Sequence, residues 1–161
     1  MIQHLLFVYQ FNLDRARTLV ADLSDAQMVQ QAEGVVNHPA WTLGHLAFVA
    51  HHLAVTLGAD STLPDGWNDH FPTGGTPSSD AADYPSKEEI LAQLTAQHEL
   101  AAQAAAGADP SVFEQPFPNE KIRTRFPTIG DFAAFLMTSH EASHLGQIAA
   151  WRRAVGLGPA T

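Results

Sequence analysis

The sequence has 161 residues, 45% hydrophobic and 16% charged, and is long enough for one domain with a substantial core but short for two. Its 17 acidic residues against 8 Lys and Arg give a net charge of −9, which argues against nucleic acid as a partner. The lack of cysteine excludes disulfides, thiolate metal ligands and a cysteine nucleophile, and no apolar run is long enough to span a membrane.

The beginning of the chain carries no sign of a secretory signal. Residues 1–7 lack a basic region before the apolar side chains, and no small-residue cleavage site follows them. We therefore predict a single domain over residues 1–161, located in the cytoplasm and bound to no membrane.

The first helix is predicted from hydrophobic spacing. Residues 2–22 carry apolar side chains three and four residues apart, which is typical of an amphipathic helix. Ser24 and Gln27 then form a capping-box pattern, in which each side chain bonds an otherwise free backbone N–H at the start of a helix. This pattern predicts a short helical piece that Gly34 ends.

The second long helix is predicted over residues 38–57 and carries an inward-facing histidine. At 3.6 residues per turn, His45 shares a face with Trp41, while Phe48 and His52 border that face. His52 lies about 10.5 Å along the axis from His45, too far to bind the same ion. It either packs in the core, which we favour, or supports the site from outside.

Residues 59–85 lose the helical period and are rich in proline and glycine. A loop of this length in a small domain is explained if the second and third helices run parallel, because the chain must then travel the length of a helix. Trp67, His70 and Phe71 indicate that the loop packs over the helices or near a site. His70 is a candidate loop ligand, although a packed or exposed histidine is the favoured interpretation.

The third helix is predicted to begin after Ser86, because Ser86 and Glu89 form a second capping-box pattern, and to end at Gly107. After it, residues 109–110 predict a short helical turn. Residues 113–126 are predicted to be irregular and punctuated by proline, with brief extended pieces around residues 122–125.

The fourth helix is predicted from Thr128 to Val155 and carries two histidines. His140 and His144 are four residues apart, so their side chains point the same way about 6 Å apart, a spacing at which both can bind one ion. Burying two imidazoles is unfavourable unless they gain partners, and a metal ion supplies one for both. The alternative is a pair of core histidines bonded to other side chains. The same side of the helix is otherwise mainly apolar, with Ile129, Ala133, Leu136, Met137, Gln147, Ile148, Trp151 and Val155.

His45 with His140 and His144 gives three imidazole ligands from two helices. Three protein ligands with an open position are typical of a catalytic metal site, whereas a closed set of four is typical of a structural one. Four long helices without strands or repeats predict an all-α four-helix bundle around this site.

Three segments resemble the DinB/YfiT-like family, namely residues 37–47, 126–148 and 151–157. The H-x-x-x-H-x-G-Q pattern that ends at Gln147 is the most specific part. The resemblance implies a bundle with up-down-down-up connection, a long crossover loop between the second and third helices, and a divalent metal on His45, His140 and His144. It also implies a homodimer, and metal-dependent transfer of a low-molecular-weight thiol or hydrolysis of a small molecule.

A competing motif occupies the same residues. His140, Glu141 and His144 match the H-E-x-x-H pattern of zinc peptidases, in which the glutamate is the general base. Glu141 lies about 60° around the helix from His144, which makes it a weak catalytic candidate, and the alternative is a solvated flank residue. A peptidase is the less favoured hypothesis, because no strand is predicted that would align a peptide substrate.

Two classes of function remain open at this point, a metal enzyme acting on a small molecule and a non-catalytic module in which the ion only joins two helices. Trp41, Phe48, His52 and Trp151 are the candidates for the wall of an apolar pocket beside the metal. The ion is zinc, nickel or iron, because imidazole suits all three. Without cysteine in the chain, a reacting thiol would come from a cosubstrate.

Overall fold

The computed structural model describes residues 2–78 and 80–160, and within these ranges it is helical, with two isolated bridges and no strand. None of the described helices is long and apolar enough to cross a membrane. The elements are α1 Ile2–Val20, α2 Asp25–Met28, α3 Pro39–Thr56, α4 Trp67–His70, a 3₁₀ turn Ala81–Asp83, α5 Lys87–Gly107, α6 Pro110–Glu114, α7 Glu120–Arg123, α8 Ile129–Phe135, a π-helical turn Leu136–His140, and α9 Glu141–Ala154. The all-α class is therefore confirmed, while the up-down-down-up connection stays a prediction.

Local capping sets several helix starts. Complete capping boxes are present at Ser24 before α2, at Ser86 before α5 and at Thr128 before α8. The prediction that Gly34 ends the short second element was wrong, because α2 already ends at Met28. Gly34, with φ +79°, instead forms the tight turn between the paired residues Ala32 and Val35.

The extended pieces predicted over residues 122–125 were also wrong. This stretch begins inside α7, which one side chain caps. The Asn119 side-chain oxygen accepts hydrogen bonds from the backbone N–H groups of Lys121 and Ile122 at 3.0 and 3.4 Å. Satisfying these N–H groups favours a helical turn over an extended chain.

The fourth predicted helix is interrupted by the π turn between α8 and α9. Asn12 on α1 donates a side-chain hydrogen bond of 3.4 Å to the carbonyl oxygen of Met137 inside this turn. A π turn accommodates an extra residue, so the side chains before it are rotated about the axis relative to those after it. The directions expected for side chains on one regular helix therefore apply to His140 and His144, but not to the residues of α8.

The core forms around α3, which packs along α5 and also contacts α4 and α9. α1 packs against α5, the π turn and α9. His38 caps α3 through its ring, which accepts a hydrogen bond from the Trp41 N–H at 3.2 Å. The helix that carries His45 is therefore enclosed by α5 on one side and by α9 on another.

The long loop packs on α3, as the sequence indicated. Trp67 is buried, and its indole N–H donates to the Gly44 carbonyl oxygen at 3.0 Å. Phe71 is fully buried, and its ring fills the space that a side chain at Gly44 would take. The glycine in α3 thus lets the loop approach closely enough to reach His45.

Candidate metal centre

His45 from α3, His140 from the π turn and His144 from α9 come together. One ligand nitrogen of each lies within 4.8 Å of the other two. The ring centroids are 5.4 Å apart for His45 and His140, 5.0 Å for His45 and His144, and 4.6 Å for His140 and His144. Among the described residues no other His, Asp or Glu joins this group.

Two of the rings are oriented by hydrogen bonds on their other nitrogen. His45 Nδ1 lies 3.0 Å from the Phe71 carbonyl oxygen, which can only accept, so Nδ1 carries the proton and Nε2 keeps its lone pair. His144 Nδ1 lies 3.0 Å from Gln147 Oε1, which also accepts from the Asn37 side chain at 3.1 Å. Such partners fix the tautomer and direction of a ligating histidine.

Electrostatics keep the three imidazoles neutral. Burial lowers the pKa of His45 below its ordinary value. Burial, with smaller effects of the neighbouring histidines, lowers the pKa of His140 to about 3 and that of His144 to about 4. Near pH 7 all three rings therefore present free lone pairs, the form in which histidine binds a metal.

The donor set fits a first-row divalent ion. It consists of three neutral imidazoles, and no carboxylate closes the group among the described residues. Three nitrogen ligands without a fourth protein ligand leave coordination positions open. The arrangement can therefore hold a cation and leave room for a further small ligand.

A cavity of about 580 Å³ reaches the histidine group at His140. Besides His140, its polar and charged lining consists of Thr56, Thr73, His52 and two cationic side chains. Most of its wall is apolar and includes the phenylalanines Phe48, Phe117, Phe126, Phe132 and Phe135. Its volume lies in the range of small-molecule sites, about 300–1,000 Å³.

The sequence profile of the DinB superfamily matches residues 9–148, which include His45, His140 and His144. The chain belongs to the DinB superfamily. No curated protein matches the sequence.

In this DinB-superfamily chain, two of the four predicted pocket residues line the cavity, Phe48 and His52. His52 is exposed, so the favoured interpretation of core packing was wrong. Trp41 is buried and stacks on the His45 ring at 4.9 Å. Trp151 is fully buried, and its indole N–H donates to the Gln30 carbonyl oxygen at 2.7 Å, so it belongs to the core behind the site.

Glu141 points away from solvent and is only 4% exposed, so its interpretation as a solvated flank residue was wrong. Its Oε1 lies 3.4 Å from His98 Nε2, and the His98 ring stacks on Tyr9. Burial raises the pKa of Glu141 well above its ordinary value and lowers that of His98 to about 3, which indicates a neutral pair and not an ion pair. His70 is exposed on α4 and is not part of the histidine group.

The roles of several groups around the histidines were not predicted from the sequence. The role of the Phe71 carbonyl could not be read from a side-chain pattern, since any residue carries that group. Gln147 had a usable signal, because it stands three residues after His144 and so lies on the same helix face. The frequent phenylalanines between Phe113 and Phe135 were a signal for an apolar wall.

Proposed function

We propose that this chain is a divalent-metal enzyme that acts on a small molecule, with His45, His140 and His144 holding the ion. The reaction is transfer of a low-molecular-weight thiol to an electrophilic acceptor, or hydrolysis of a small ester or amide. The observation that carries the proposal is the convergence of three neutral imidazoles, one of which, His140, lines a cavity of about 580 Å³.

A bound divalent ion at this site would lower the pKa of a thiol or water and polarise a substrate oxygen. The chain's own residues orient the ligands and shape the cavity. The Phe71 carbonyl and Gln147 hold the rings of His45 and His144. Phe48 packs near His45, with ring centroids 6.1 Å apart, and lines the cavity, so it supplies apolar surface beside the histidines.

The identity of the ion is zinc, nickel or iron in this proposal, because a set of neutral imidazoles suits each of them. Elemental analysis of untagged protein identifies which one is carried from the cell. A cytoplasmic location, expected from the sequence, remains part of the proposal.

The rival function is a binding module in which the ion only joins α3 to α9. The contact between these two helices gives that role a structural basis. A peptidase of the H-E-x-x-H type has less support, because the Glu141 carboxyl group lies with His98 in the core.

A homodimer is the proposed assembly. Phe7 and Phe11 on α1 are 73% and 56% exposed. α1 packs against α9, where Ala142 and Gly146 are also exposed. Phe11 also lines an open cavity with Ala149 of α9, so a large apolar side chain lies beside a small one on a face that a second copy can cover.

The activity test uses metal-free protein loaded separately with zinc, nickel and iron. A panel of small cellular thiols with electrophilic acceptors, and a panel of small esters and amides, are assayed against free metal ion. We expect turnover that His140→Ala abolishes and that His51→Ala retains, since His51 bonds Ser61 outside the histidine group. Absence of turnover with every metal and panel would favour the binding module.

A further inference from the structure

Two positive side chains line the cavity beside the histidine group. Lys121 and Arg125 are two of only eight Lys and Arg in a chain of net charge −9. No aspartate or glutamate lines this cavity among the described residues. Neither cation takes part in an ion pair found in the described part of the chain. The cavity is therefore a site of uncompensated positive charge on an acidic protein.

The phenylalanine wall positions Arg125. Its guanidinium carbon lies 5.3 Å from the Phe126 ring centroid and 5.4 Å from that of Phe135. These contacts are cation–π interactions, which hold the guanidinium without using its N–H groups as hydrogen-bond donors to an acid. The donors stay available to a ligand that enters the cavity.

The same rings offer an apolar surface for the rest of a ligand. Phe132 packs against Phe117 and Phe126, with ring centroids 4.5 and 5.6 Å apart. Phe135 in turn lies 5.7 Å from the His140 ring. An apolar surface thus connects the positive end of the cavity to the histidine group.

We propose that this cavity binds a small molecule with an aromatic or similarly broad apolar body and one anionic group, a carboxylate or sulfonate. The anion pairs with Arg125 and Lys121, and the body packs on the phenylalanines with its other end toward His140. A guanidinium suits such an anion, because it can donate two parallel hydrogen bonds. As a substrate class this inference rests on the proposed function, whereas the ligand class itself rests on the cavity alone.

The test compares two fluorescent probes that share an aromatic body. 8-Anilinonaphthalene-1-sulfonate is anionic, and N-phenyl-1-naphthylamine is neutral. Titrated into metal-free wild-type protein, the sulfonate is expected to bind about tenfold tighter, equivalent to about 1.4 kcal/mol. In the double variant Lys121→Gln with Arg125→Gln the preference disappears and the affinity of the neutral probe stays the same. Both substituted residues are exposed, so the fold is retained, which a thermal melt checks.

Arg15→Gln is the matched control, because Arg15 lines a separate cavity. It should leave both affinities unchanged, while Phe126→Ser should weaken both probes. The inference is overturned if the double variant binds the sulfonate as tightly as wild type, or if Arg15→Gln removes the preference instead.

A zinc titration of the same proteins separates this inference from the proposed function. The double variant should bind zinc as wild type does. If wild type binds no metal but shows the charge preference, the metal proposal fails and the ligand class stands. If metal binds but the double variant keeps the preference, the ligand class fails and the metal proposal stands.

Discussion

At the scale of single residues, the orientation of His144 depends on a residue outside its own helix. Asn37 donates to Gln147 Oε1, and that oxygen also accepts from His144 Nδ1. The two bonds hold the amide so that it faces the imidazole. They thereby favour the tautomer in which Nε2 is free to bind a metal.

Gln147→Leu should weaken metal binding by about 10–100-fold, the usual effect of removing a residue that orients a ligating histidine. Isothermal titration with zinc measures it. The control is Gln103→Leu, an exposed glutamine on α5, which should bind zinc like wild type. Equal affinities of the two variants would contradict the role assigned to Gln147.

Glu141 leads to a pH-dependent prediction. Burial raises the pKa of Glu141 in the folded chain. Between the unfolded pKa of about 4.5 and this higher folded pKa, the folded chain binds more protons than the unfolded chain. The free energy of unfolding therefore falls as the pH rises through the folded pKa. Glu141→Gln removes this loss, so the variant should match wild type near pH 4.5 and exceed it at pH 8. Urea unfolding at both pH values measures this.

A second substitution tests whether Glu141 fills the core. Glu141→Ala should be about 2–4 kcal/mol less stable than Glu141→Gln at either pH, because it leaves a cavity and neither side chain titrates. A Glu141→Gln variant less stable than wild type at pH 8 would indicate an ionised carboxylate.

At the scale of elements, the long loop packs closely against α3 at Gly44. A methyl group at Gly44 would overlap the Phe71 ring, whereas a methyl group at Gly107, the last residue of α5, would meet no atom within 4 Å. Gly44→Ala should therefore cost about 1–3 kcal/mol and weaken metal binding, because it displaces the carbonyl that bonds His45.

Gly107→Ala is the matched control and should stabilise α5 by up to about 1 kcal/mol through helix propensity. Thermal unfolding and zinc titration of both variants measure the difference. Two equally stable variants would contradict the close packing of the loop on α3.

The helix starts were predictable because their signals are local. Ser24, Ser86 and Thr128 each bond backbone groups within three residues, which a sequence displays directly. The π turn was not predictable in this way, since its carbonyl oxygen at Met137 is bonded by Asn12, 125 positions away. A contact between positions so far apart in the chain has no local signal in the sequence.

The pairing of His140 and His144 was predictable, because helical period alone puts the two side chains together. The environment of Glu141 was not, although it is the next residue. Its helical angle says only which way it points, and the packing partner on that side, His98 of α5, comes from tertiary structure. The cavity cations, Lys121 on the short helix α7 and Arg125 just after it, lie in a stretch where the sequence shows no hydrophobic period.

At the scale of the whole molecule, the proposed homodimer rests on the exposed face of α1. Phe11 is 56% exposed and, with Ala149 of α9, lines an open cavity between the two helices. If a second copy covers this face, Phe11→Glu should convert the dimer to a monomer in light scattering at micromolar concentration, because it replaces a large apolar side chain of the contact by a charged one. Val36→Glu is the control, because Val36 is also exposed, and this variant should remain dimeric. A monomeric wild type would contradict the proposed dimer.

The central claim is that His45, His140 and His144 hold one divalent ion, and metal-dependent melting of untagged, metal-free protein tests it most directly. Zinc, nickel or iron should raise the melting temperature of wild type and of His51→Ala, because the ion binds the folded state, and a chelator should reverse the rise. His144→Ala should show no rise. Equal responses of His144→Ala and wild type, or no response of wild type to any of the three ions, would contradict the claim.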